Sequence, residues 1–432
     1  MLRRKGLRLK VYLDDFLIAH QHRDTLKTHV QMAIEFLNRL GWHINMNKSI
    51  LNPTMSLEFL GIVWNTQHNI KSLPLEKVRK VRQYLMSRLT AGIWTLKQAQ
   101  RLLGYLNFAT FVTLWGRLHC RTLQRHSNLL QKHSRRPSVF GDEVRKELKW
   151  WLDNIDQIHP VKLPVNYVVT DASDIQWGAL VNNNSLKGSW SQDQLGWHCN
   201  LKEMHAVIAA ISSQANVLKN STVILQSDNK TVVSYIKNEG GTRSQKLLEL
   251  TKHLLGLIDS LNVVLLPHHL PGMYNTEADH LSRNRAGSEW HLLSEGTKKV
   301  FKLWGTPELD LFASKNAHVV SKYVSLDLSD SNAYFHDAFS RCWTYNLAWI
   351  FPPPSLLPRV LHHLNSARGK FIIIAPKWKK PFWRPDLKNR SLARPLKIRN
   401  LNITLVDTVS GRPPAQVHNL QLEAWLVSAG TP

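Results

Sequence analysis

Apolar and polar positions along the chain alternate with two different periods. Residues 7–24 contain LRLKVYLDDFLIAH, two short apolar runs about a polar centre. That pattern predicts strand, tight turn, strand, with Asp14 and Asp15 at the turn. A helix is predicted from about Asp24 to Leu40, stopped by Gly41. GWHINMNKSILNPTMSLEFLGIVWN then reads as short strands and a hairpin. Residues 75–89 and 95–125 carry apolar residues at spacings of three and four, which predicts helices. RHSNLLQKHSRRPS (125–138) reads as a polar, basic connector, and GDEVRKELKWWLDNI (141–155) as another helix. Beyond these come two buried-strand runs, Tyr167–Thr170 and Val223–Ser227, and between them a helix including Leu201–Val207. A short helical segment, Ala278–Arg283, follows a Pro-Gly loop. After residue 285 a second α/β pattern runs through PELDLFAS, AWIFPPPSLL, a helix and the apolar strand Phe371–Ala375. Beyond about residue 400 the polar and apolar positions scatter, which predicts a partly ordered tail. No internal repeat or long low-complexity tract is present.

Placed on these elements, four acidic residues stand out. Asp171 ends the first strand run, Glu203 opens the helix, Asp228 ends the second strand run, and Asp279 lies in the short helical segment. Strand ends and helix starts converge at one edge of a sheet, so the four can meet there. Any one of them alone reads more readily as a helix cap or a solvated loop residue; the four in this order do not. Crowded carboxylates repel one another unless a cation neutralises them. Oxygen ligands that leave positions open for phosphate suit Mg²⁺. Two such ions suit phosphodiester cleavage.

Composition narrows the partners. The 432 residues suffice for several domains, and 43% hydrophobic content supplies ample core. No apolar stretch of about 20 residues is present, so no membrane partner is expected. The segment MLRRKGLRLKVYLDDF lacks the apolar stretch of a secretory signal. The three cysteines, Cys120, Cys199 and Cys342, are far apart and form neither a disulfide framework nor a zinc pattern. An intracellular protein, nuclear or cytoplasmic and not secreted, is the expectation. The net charge of +25 is uneven. Residues 1–165 have 27 Lys and Arg against 11 Asp and Glu, +16; residues 166–284 have 9 against 10, −1; residues 285–432 have 20 against 10, +10. A near-neutral module between basic flanks favours a polyanion, most simply nucleic acid.

The stretches VVTDASDIQWGAL, LKEMHAV, LQSDNKTVVSYI and HLPGMYNTEADHLSR resemble the ribonuclease H domain of reverse transcriptases. The resemblance implies that Asp171, Glu203, Asp228 and Asp279 are catalytic metal ligands for two Mg²⁺ ions. His269 then falls on a mobile histidine that assists product release or proton transfer. Tyr12-Leu13-Asp14-Asp15, followed by LGWHINMNKS and EFLGI, resembles the end of a reverse transcriptase palm. That implies metal-binding roles for Asp14 and Asp15, a role for Lys48 in protonating pyrophosphate, and a primer grip at Phe59-Leu60-Gly61. The helices of 75–125 would be a thumb. The family's third palm carboxylate comes from a strand well upstream, and no acidic residue precedes Asp14 here. Fingers and the first half of the palm are therefore expected to be missing, and polymerase activity lost.

Residues 304–387 resemble the methylase-like domain that follows ribonuclease H in DIRS-type retrotransposons. Where adenine methylases carry Asn/Asp-Pro-Pro-Tyr/Phe, this chain has Phe351-Pro352-Pro353-Pro354, so both functional side chains are replaced. Asp310 remains as an acceptor, but S-adenosylmethionine is not expected as a cofactor. The expected chain is thus an α/β and α+β multidomain protein. A partial palm spans 1–74, thumb and connector 75–138, and a ribonuclease H mixed sheet with flanking helices and a leading helix 139–285. A methylase-like α/β module spans 300–400 and the tail 401–432. Its expected activity is Mg²⁺-dependent cleavage of RNA in RNA–DNA hybrids, with template DNA or RNA as further partners. The alternative is a non-catalytic nucleic-acid-binding remnant of a retrotransposon.

Overall fold

The computed structural model describes residues 2, 7–133, 137–157, 159–160, 166–284, 289–378 and 380–430. Part of the expected connector, 134–136, and the domain junction at 285 lie outside the described residues. The chain divides into two compact units, residues 1–162 and 163–432. No helix among the described residues is long and apolar enough to cross a membrane.

The first unit opens with the expected hairpin, β1 (Arg8–Tyr12) against β2 (Asp15–Ala19). Leu13 turns the chain with a φ of +53°. Helix α1 (Arg23–Arg39) follows, then the antiparallel strands β3 (Ser56–Phe59), β4 (Ile62–Asn65) and β5 (Ile70–Ser72). Four helices complete the unit: α2 (Leu75–Ala91), α3 (Leu96–Ala109), α4 (Arg121–His133) and α5 (Asp142–Asn154). Thr95 starts α3 with a reciprocal capping box to Gln98, which satisfies two otherwise orphaned backbone donors.

Three expectations fail here. The single helix of 95–125 is broken after Ala109, because Trp115 takes a left-handed φ of +61° and reverses the chain. Next to it, a Cβ on Gly116 would lie 2.7 Å from the Trp151 ring, so the turn depends on this glycine. The basic connector is helical as far as His133, one face buried through Leu123 and Leu130. Helix α5, expected to lead into the module of 139–285, packs instead with α2, α3 and α4 of the first unit. Its Leu148 and Trp151 are buried among Leu85, Trp94, Leu102 and Leu106. Its Glu147 accepts the N–H groups of Thr122 and Leu123, at 2.9 Å each, and so caps α4.

The second unit begins with a five-stranded mixed sheet in the order β8–β7–β6–β9–β10. Its strands are β6 (Asn166–Ala172), β7 (Gln176–Val181), β8 (Asn184–Ser189), β9 (Thr222–Ser227) and β10 (Val264–His269). Strands β6 to β8 form an antiparallel meander, while β9 runs parallel to both β6 and β10. Central strands covered on both faces read as unbroken apolar runs; β9 is buried throughout. Helices α6 (Cys199–Ser213), α7 (Lys230–Lys237), α8 (Gln245–Ser260) and α9 (Thr276–Ser282) accompany the sheet. The predicted amphipathic helix, α6, is buried on most sides, and even its Lys202 is enclosed, paired to Asp174 at 2.8 Å.

A second five-stranded sheet follows α10 (Ser294–Trp304). It comprises β11 (Leu309–Asp310), β12 (Thr344–Ile350), β13 (Arg368–Pro376), β14 (Leu396–Ile398) and β15 (Leu422–Ser428), ordered β11–β12–β13–β15–β14. The first three are parallel, and β15 runs antiparallel to both neighbours. The described part of the expected tail, 401–430, is therefore not partly ordered. Residues 422–428 supply an inner strand, invisible to alternation because both its faces are covered. Its buried Glu423 is paired with Arg384 and Lys377. The two sheets share a core in which Val169, Leu270, Tyr274 and Ala278 meet Ile372, Ile374 and Leu422. Gln226 in β9 also donates to the Ser355 carbonyl at 2.7 Å.

Candidate metal centre

Strand pairing sets the distance between the first two carboxylates. Thr170 of β6 pairs with Ser227 of β9 in parallel, so Asp171 and Asp228 emerge side by side at the same sheet edge. Glu203 reaches them from α6. The ligand oxygens of Asp171, Glu203 and Asp228 all lie within 4.8 Å of one another. Ser282 of α9 donates to Asp171 Oδ2. Asn275 donates to the Thr170 carbonyl at 3.1 Å and to Asp171 Oδ1 at 3.5 Å.

Burial and crowding oppose ionisation. Burial, reinforced by the neighbouring acids, pushes Asp171 up to about 6 and Glu203 up to about 9. Asp228 is raised as well, by burial first. Among the described residues nothing hydrogen-bonds Glu203 Oε2, which is buried. Three converging carboxylates with an unsatisfied oxygen fit a hard divalent cation such as Mg²⁺.

Asp279 stands beside this group, outside the 4.8 Å set. It is ion-paired with Arg283, and its charge still raises Asp171 and Asp228. His269 ends β10, opposite Ser227 in register, and hydrogen-bonds the Asp228 backbone. Burial holds its ring below the usual histidine range. Two glycines permit the close approach. A Cβ on Gly178, which pairs with Asp171, would lie 2.6 Å from Ser282 N. One on Gly272 would lie 2.9 Å from Asp228 Oδ2. Sequence reasoning assigned no role to Asn275, Ser282 or Gly178. The first two sit inside HLPGMYNTEADHLSR and Gly178 sits inside VVTDASDIQWGAL, so all three lie in stretches already singled out, but the need for a bare Cα at 178 shows only once α9 is packed against β7.

In the first unit, Asp14, Asp15, Lys48 and Phe59 line one cavity of about 540 Å³. Leu60 and Gly61, with φ of +53° and +74°, make the turn between β3 and β4, and Lys77 donates to the Gly61 carbonyl at 3.1 Å. In the C-terminal module, Phe351, Pro352 and Pro353 line a cavity of about 310 Å³. Asp310 is not among its lining residues. It is fully buried, its Oδ1 taken by Phe312 N–H at 3.3 Å and its Oδ2 by Val319 N–H at 3.1 Å. The expected acceptor is thus committed to backbone.

Fold and site together define a multidomain, mixed α/β protein with a three-carboxylate cluster at a sheet edge, two of its members buried and Asp228 half-buried. No protein-family model matches the chain. It is 25% identical over 243 residues to the enzymatic polyprotein of Cauliflower mosaic virus (strain D/H), across 52% of this chain and 34% of that protein. The chain thus shares homology with caulimoviral enzymatic polyproteins and spans about a third of the length of that curated relative. Among solved structures, a foamy viral protease-reverse transcriptase in complex with double-stranded DNA matches at 15% identity. That match covers 62% of this chain and 47% of the other, with a TM-score of 0.33. RNase H1 from Halobacterium salinarum matches at 16% identity over 28% of this chain and 98% of its own, with a TM-score of 0.24.

Proposed function

We propose that this chain is a reverse transcriptase–ribonuclease H polypeptide of a DIRS-type retroelement, and that residues 166–284 cleave the RNA strand of RNA–DNA hybrids with Mg²⁺. The observation that carries the reading is the convergence of Asp171, Glu203 and Asp228 oxygens within 4.8 Å at the end of a mixed sheet. These three residues, with Asp279 alongside, would hold the ions. A bound divalent ion supplies charge stabilisation and an activated water. Ser282 and Asn275 keep the Asp171 carboxylate oriented. His269, half-buried and near Asp228, is placed to hold or pass a proton. Hybrid is selected by shape and by the 2′-OH, not by sequence.

The test is purified protein with a labelled hybrid. Wild type should cut in Mg²⁺ or Mn²⁺, and Asp228→Asn should lose about a hundredfold or more in rate while still binding hybrid. A folded wild type that cuts nothing with either ion sinks the proposal and favours the non-catalytic remnant. A polypeptide of these 432 residues is further expected not to extend a primer, since Asp14 and Asp15 have no upstream acidic residue to complete a two-ion site. Extension above an Asp14→Asn, Asp15→Asn control would overturn that part.

A further inference from the structure

The segment 268–282 carries two groups of the site, His269 and Asp279, and its other face meets the C-terminal module. His268 stacks on Phe382, ring centroids 3.7 Å apart and planes 14° from parallel. Tyr274, 3% exposed, stacks on Trp378 at 4.8 Å and 28°. Trp378 in turn meets the buried Trp383 edge-on at 5.3 Å. Ser355 donates to Glu277 Oε2 at 3.1 Å. Successive side chains of a strand point to opposite faces. With His268 held against Phe382, His269 is directed to the Asp228 side. Tyr274 lies just before α9, which delivers Asp279, and Leu270 and Ala278 are buried in the shared core.

We propose that Trp378 and Phe382 are positioning residues for the ribonuclease site. Through them the C-terminal module fixes segment 268–282, so that His269 and Asp279 are presented to Asp171, Glu203 and Asp228. This inference rests on the ribonuclease reading above. It gives the C-terminal module a role that its altered Phe351-Pro352-Pro353-Pro354 motif does not supply. Each aromatic pair biases a local equilibrium by roughly two- to tenfold beyond its burial, enough to decide whether a short segment stays docked.

The experiment compares the full chain with Trp378→Ala/Phe382→Ala and with the conservative Trp378→Phe/Phe382→Tyr. Three quantities are read: hydrogen exchange of amides 270–282, Mg²⁺ affinity by calorimetry, and hybrid cleavage. The alanine pair should speed exchange in 270–282 about tenfold or more while strand residues 167–171 stay protected. It should weaken Mg²⁺ binding about tenfold and lower kcat with KM for hybrid nearly unchanged. The conservative pair should restore all three. If the alanine pair also exposes 167–171, the single variants Trp378→Leu and Phe382→Leu, which keep apolar bulk, are read with the same expectation. Unchanged exchange in 270–282 together with unchanged Mg²⁺ affinity overturns the proposal. Wild-type protein that binds Mg²⁺ but cuts no hybrid defeats the ribonuclease reading instead, and the exchange and Mg²⁺ measurements still decide the positioning role.

Discussion

Glu203 is the residue at which cation binding should be most visible. Without a cation its carboxyl stays protonated up to about 9, and that of Asp171 up to about 6. Unfolded, the same groups titrate near 4. Their contribution to stability is therefore fully present below about pH 4 and is lost as pH rises through 6 and then 9. A divalent cation binds the ionised forms and displaces those protons, so its affinity should grow over the same window. The melting temperature should accordingly rise more on adding Mg²⁺ at pH 8.5 than at pH 6, and hardly at all in Asp228→Asn. Equal increments at the two pH values would contradict the assignment. Asp310 provides the control. Burial pushes it up to about 8, so its contribution fades with the same sign, but it lies apart from the cluster. Asp310→Asn should flatten the metal-free pH dependence and leave the Mg²⁺-dependent part intact.

At the scale of elements, the distance between β7 and α9 decides whether Asp279 can face the other acids. That distance exists because Gly178 has no side chain. Gly178→Ala should force α9 outward, destabilise the protein by about 1–3 kcal/mol, and reduce cleavage about tenfold or more. Gly256 makes a useful contrast, since a Cβ there meets nothing within 4 Å and the residue lies inside α8. Gly256→Ala should stabilise by about 0.5–1 kcal/mol and leave cleavage unchanged. Chemical denaturation of both variants checks the pair, and a Gly178→Ala protein as active as wild type would show that α9 tolerates the shift.

For the whole molecule, charge is the dominant lever. Residues 1–162 carry +16 and residues 163–432 carry +9, from 29 basic against 20 acidic residues. Affinity for hybrid or duplex should fall steeply with salt, since each neutralised phosphate releases counterions. A polypeptide of residues 163–432 should bind more weakly and with a shallower salt slope than the whole chain. That division is preferable to an isolated 166–284, which would expose the face buried against Ile372, Ile374 and Leu422. Binding titrations at several salt concentrations check this, and a flat dependence would be incompatible with it.

The sequence by itself determined what short-range physics encodes. Continuous apolar runs marked β6 and β9, the Asp-Asp turn marked the first hairpin, and the ordered quartet of acids marked the site. The first two signals lie within neighbouring residues, whereas the quartet speaks only as an ordered set spread over four elements. The tertiary structure decided everything that depends on a second segment. It assigned α5 to the first unit, because Leu148 and Trp151 are apolar whichever core they enter. It made 422–428 an inner strand, because a segment covered on both faces has lost its alternation. It committed Asp310 to backbone N–H groups, and it drew the oxygens of three acids to within 4.8 Å of one another while pairing Asp279 with Arg283. Patterns along a chain record which faces are apolar. Which surface covers each face, and which oxygens end up within ligand distance, follows only from packing between segments far apart in sequence.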